Sequence, residues 1–179
     1  MPYSNVQHTK GVVFLAPTAT VNIADDATTY AKMQNVSAAS LLLGRGSASG
    51  SGDPEEVTLG ANLVMSATTL KATARVTTAT TSATPTPNAD TTDLYALTAL
   101  AEAAAFGAPT GTPVNGQKLM IRIKDNATAR ALTWNAAYAA GGTALPSTTV
   151  LSKILTLGFI YNTDNSLNKW QCVASAQEA

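Results

Sequence analysis

The 179-residue chain carries 11 Lys+Arg and 11 Asp+Glu, so it has no net charge, and only 12% of its residues are charged, against about a quarter in an average soluble domain. With no Lys/Arg run to neutralise phosphates, the composition argues against nucleic-acid binding. A single cysteine, Cys172, excludes an intrachain disulfide framework and a cysteine-based zinc site. The hydrophobic fraction is 45%, but much of it is alanine and only 6% of residues are aromatic. Alanine removes little apolar area from water, so a lone copy gains little from folding, and a homo-oligomer that completes its core between chains is the expectation.

In chain order, Met1-Pro2-Tyr3-Ser4-Asn5 is polar and has no basic-then-apolar leader. No apolar run approaches the ~18 residues of a membrane span. Cytoplasmic synthesis without membrane insertion is therefore expected. Val12, Val13, Phe14 and Leu15 form a short strand-like run stopped by Pro17. The stretch 25–35 fits a short helix or an extended chain. Leu41, Leu42 and Leu43 precede Arg45 and a Gly/Ser-rich loop, after which 56–60 and 62–66 read as two short strands containing Val57, Leu59 and Leu63. Three consecutive leucines cannot share one face of a strand, because side chains alternate with period two. Both faces need cover, and neighbouring chains are its natural source. The candidate assembly contacts are thus Val12–Leu15, Leu41–Leu43, Arg45, Val57, Leu59 and Leu63.

Residues 71–92 are rich in Thr, with Pro85 and Pro87 and almost nothing large to bury. They read as an extended linker. Segment 93–106 has helix propensity, yet Leu94, Ala96, Thr98 and Leu100 alternate. A strand followed by a loop is favoured, with the helix left open. Lys118–Lys124 alternates clearly, with Leu119, Ile121 and Ile123 on one side and Lys118, Arg122 and Lys124 on the other. Asp125–Thr128 has turn chemistry, so a hairpin returning through Arg130–Trp134 is expected. Two further strands, 149–155 and 157–161 with a bulge at Gly158, and a last one at 169–174 complete the reading.

Candidate chemistry is sparse. The single histidine, His8, leaves a Ser-His-Asp triad or a multi-histidine metal site without members. Cys172 alternates with Trp170 and reads as a small buried hydrophobe. Asp53, Glu55 and Glu56 border the Gly/Ser loop without forming a carboxylate pair across a sugar site. Gly44-Arg45-Gly46 and Gly50-Ser51-Gly52 lack the Gly-Lys-Ser/Thr continuation of a phosphate loop. No enzyme and no cofactor is expected. Trp134 and Tyr138 are the candidate glycan contacts, since aromatics with a polar edge suit binding surfaces. Strand alternation favours a core place for Trp134, and Tyr138, among alanines before Gly141-Gly142, is the better surface candidate.

Two groups of segments carry a family resemblance. Thr29–Ser37, Leu42–Ala48 and Gly52–Leu59 resemble a string that recurs in tail-fibre and related virion fibre proteins of tailed bacteriophages. Asp93–Leu100, Gly116–Asn126, Ala129–Asn135, Leu157–Asn162 and Lys169-Trp170 look like a terminal module of phage fibre and head-decoration proteins. The resemblance implies a homotrimeric, β-rich virion subunit with no catalytic motif to carry over. The expected architecture is mainly β. An intertwined attachment and trimerisation region occupies 1–70, the extended linker 71–92, and a small jelly-roll-like β-sandwich 93–179. The implied partners are identical copies and the phage major capsid protein or another virion protein. A short head fibre or capsid-decoration subunit fits the chain length, and a tail fibre or spike that binds a host-surface glycan is the alternative.

Overall fold

The computed structural model describes residues 36–45 and 55–179, so Val12–Leu15 lie outside the described residues. The description that follows concerns the compact unit Ser40–Ala179. Its elements are strands, and no α-helix occurs among the described residues. The fold is mainly β, as the alternating and Thr-rich segments lead one to expect.

Four short strands come first. β1 (Leu41–Gly44) pairs antiparallel with β2 (Glu55–Thr58), and β3 (Leu63–Ser66) with β4 (Thr69–Ala72). Each pair is a separate two-stranded sheet. Then β5 (Val76–Ala79), β6 (Leu94–Leu100), β8 (Lys118–Asp125), β11 (Ile154–Asn162), β12 (Lys169–Gln177) and β10 (Tyr138–Ala140) build a six-stranded sheet in that spatial order. β7 (Ala104–Phe106) and β9 (Leu132–Trp134) form a smaller parallel pair.

The chain winds. β5, β6 and β8 run parallel in register, with Thr77 beside Tyr95 beside Ile121, and Ala79 beside Leu97 beside Ile123. The segments joining them also lie side by side. Ala105 N–H donates to Ala83 O, Gly107 N–H to Pro85 O, and Ala104 pairs with Leu132. Strand and return segment therefore alternate through three stacked turns before β11 and β12 add antiparallel strands. Inward side chains fill the space between: Leu97, Leu119, Ile121, Ile123, Leu157, Phe159 and Trp170 from the sheet, with Phe106 and Leu132 from the returns. Phe106 stacks on Trp134 at 4.3 Å, and Trp134 leans on Phe159 at 5.9 Å. Burying each large side chain stabilises the fold by about 1.5–3 kcal/mol.

Several expectations need correction. The stretch 71–92 is no spacer: it holds β5, and Pro85, Pro87, Ala89 and Thr92 are buried. Its backbone is extended, but the neighbouring turn of the winding supplies cover that the local sequence lacks. Proline fits there because Pro85 and Pro87 act only as acceptors, through their carbonyls. Three of the five pairings in the large sheet, β5–β6, β6–β8 and β10–β12, are parallel, whereas a jelly roll is built from antiparallel strands.

The 118–134 segment is not a hairpin. β8 pairs with β6 and β11, while β9 crosses to pair with β7. The corner is held by Asp125, whose carboxylate accepts the N–H groups of Ala127 and Ser152 and the Thr149 hydroxyl at 2.7 Å. In β6 the core-facing residues are Tyr95, Leu97 and, past a register shift, Leu100; Thr98 is exposed. The strand expected at 149–155 is strand only from Ile154, which with 157–161 lies in the single strand β11, and the register shift beside Gly158 leaves Val173 of β12 as the extra residue.

Candidate assembly surface

The two small hairpins and the large sheet treat similar residues differently. In β1–β2, Leu42 pairs with Val57 and Leu43 with Glu56, so the two leucines lie on opposite faces. Both are exposed, Leu43 at 42%. Leu41, Val57 and Leu59 are half-buried, and Arg45 is exposed. In β3–β4, Leu63, Met65, Leu70 and Ala72 share one face by register. Leu63 and Val64 are exposed, and Leu70 reaches 46%. An isolated two-stranded hairpin is at best marginally stable in water, and one with leucine exposed on both faces needs a covering surface. Of the sequence-derived contacts within the described residues, Leu42, Leu43, Arg45 and Leu63 are thus exposed.

The candidate glycan residues do not lie on a surface. Tyr138 is 4% exposed, edge-on to Trp134 at 5.3 Å and to Phe159 at 5.3 Å. Trp134 is half-buried against the core, and its indole N–H donates to Pro146 O at 2.8 Å. Neither ring offers a face to a sugar. Alanines around Tyr138 suggested exposure, but the parallel pairing of β10 with β12 turns the ring inward. Burial pushes the Tyr138 hydroxyl well above its usual range, and its oxygen has no hydrogen-bond partner. Cys172 is buried as expected, and burial raises its thiol pKa.

Polar groups elsewhere serve each other. The Arg75 guanidinium meets Asp93 at 2.5 Å, and this hydrogen bond holds the Asp93 carboxyl below its usual range. Arg75 borders a cleft of about 480 Å³ with Asp90, Asn115 and Gln117. There Asp90 accepts from Thr112, and Gln117 donates to Ala89 O. Burial works to raise the Asp125 carboxyl, but hydrogen bonds from Thr149, Ser152 and Ala127 and the Arg130 charge outweigh it and hold the pKa low. Among the described residues no three His, Cys, Asp or Glu side chains gather as metal ligands.

A family described as a repeat of unknown function (DUF5907) matches residues 14–79, less than half of the chain. The match takes in both hairpins and ends with β5, so residues 80–179 lie beyond it. No curated protein and no solved structure matches the chain significantly. What sequence reasoning missed is the outward face of the large sheet. Val76, Met120 and Val173 stand exposed there, and only the strand register brings them together.

Proposed function

We propose that this chain is a non-enzymatic structural subunit of a tailed-bacteriophage particle: a homotrimeric short head fibre or capsid-decoration protein. In this reading residues 1–72 attach and interlock copies, and the two-layered β unit from β5 onward projects as the head. Support comes from the resemblance of its segments to virion fibre and decoration proteins. The single observation that carries it is the exposure of Leu42, Leu43, Leu63 and Leu70 on hairpins too small to stand alone. The glycan-adhesion alternative loses its two candidate residues, because Tyr138 and Trp134 are engaged in the core.

The test is the mass of the full chain by light scattering, together with its binding to phage heads. The wild type is expected at three times 18.3 kDa and to co-sediment with capsids. Leu42→Ser with Leu43→Ser shifts the population towards single chains. A monomeric wild type without affinity for particles overturns the reading.

A further inference from the structure

The outward face of the six-stranded sheet carries a row of small and apolar residues that the sequence scatters. By register, Val76 of β5 stands beside Leu94 of β6, Met120 of β8, Gly158 of β11 and Ala174 of β12. Val76 is 54% exposed, and Met120 and Val173 are also exposed. Five strands span four gaps, so the row is about 19 Å wide. Patches of this extent on a lone chain mark interaction sites.

Cations flank the row. Lys118, Arg122 and Lys124 alternate with Met120 on the same side of β8. Their cross-strand neighbours are uncharged: Ile160 beside Lys118, Ala96 and Thr156 beside Arg122, and Ile154 beside Lys124. None of the three has an ion-pair partner among the described residues. The one carboxylate bordering this end, Glu178, shares a hollow with Arg122 but accepts the Ile154 N–H. A cationic, apolar face on a chain with no net charge means that the balancing acids lie elsewhere on the same chain. One such place is β2, where Glu55 shares a ribbon face with the exposed Leu42 and with Val57.

We infer that this outward face is the docking surface for a second copy of the chain, which lays its β1–β2 hairpin against it. The inference rests on the assembly reading above and names its interface. The hairpin is a short flat ribbon, and the face is a sheet, so they stack as sheet on sheet about 10 Å apart. Leu42 and Val57, on the ribbon face that also carries Glu55, cover Met120 and Val76, while Glu55 approaches Arg122 and Lys124. Donor and acceptor surfaces differ, so the contact is heterologous, the kind that closes into a ring. No foreign polyanion is required, because the copies neutralise one another.

The experiment measures association of the full chain by light scattering and sedimentation. Met120→Lys and Arg122→Glu each weaken association about tenfold or more, as expected for a charge forced into a packed or like-charged contact. Glu55→Arg in the Arg122→Glu background restores it. Both β8 side chains point outward, so the head keeps its cooperative unfolding; Met120→Ser replaces Met120→Lys should that variant misfold. An oligomer untouched by either β8 variant overturns this interface while leaving the assembly reading in place. A wild-type monomer overturns both. Weakening without rescue by the charge exchange removes the hairpin as the occupant, as does wild-type capture of an acidic polysaccharide on the same face.

Discussion

Leu63 and Leu119 are the same residue in strands of similar pattern, yet one is exposed and the other fully buried. The hairpin region over 41–72 has strands of four residues, each paired once. The unit from β5 to β12 has a second layer, so its alternate residues meet Phe106 and Leu132 instead of water. Strand pairing satisfies the backbone in both regions, but only layering removes apolar area. The described residues thus divide into a part that buries its leucines and a part that leaves them exposed.

That division can be broken most severely in the head. Phe159→Ala removes a ring held between Trp134 and Tyr138 and should cost about 3–5 kcal/mol by denaturant unfolding. The Leu42/Leu43 pair of substitutions should leave that transition nearly unmoved while lowering the oligomeric mass. A comparable loss of head stability from both would erase the distinction.

A middle-sized effect tests the corner. Asp125→Asn keeps the shape but weakens three hydrogen bonds, costing about 1–3 kcal/mol. The same group gives the head an acid sensitivity. The Asp93 and Asp125 carboxyls are held below their usual value of 3.8 in the folded chain. Their contribution is complete above that value and disappears as pH falls through the lowered folded pKa. Thermal melts from pH 6 down should therefore show a drop below about pH 4, and a shallower drop in Asp125→Asn.

The smallest expected change has the opposite sign. Tyr138→Phe deletes a buried oxygen that has no partner and should raise head stability by about 1 kcal/mol. A loss would mean that the hydroxyl is satisfied in solution.

Local pattern revealed what depends on local pattern. Alternation in Lys118–Lys124 identified the core face of β8, and Trp170 with Cys172 that of β12. Period two alone also placed Leu42 and Leu43 on opposite faces of β1. Non-local pairing was not legible. Asp125–Thr128 has the composition of a hairpin turn, but the chain leaves the sheet there because Thr149 and Ser152, far along the sequence, bind the carboxylate. The Thr/Pro segment looked unsupported because its cover, 104–110, comes from the next turn of the winding. The outward row from Val76 to Ala174 has one member per strand, so no single segment of sequence displays it.

The position of β12 has a consequence for biogenesis. It is the last strand in sequence, but it lies inside the sheet, and β10 has no ladder partner except β12. A nascent polypeptide can wind its three turns as they leave the ribosome. Tyr138 and Phe159 must then wait, wet, until Trp170 and Cys172 have been synthesised. Translation arrest or proteolysis ahead of Lys169 would release a chain with a greasy open seam, and such a fragment would be prone to aggregate.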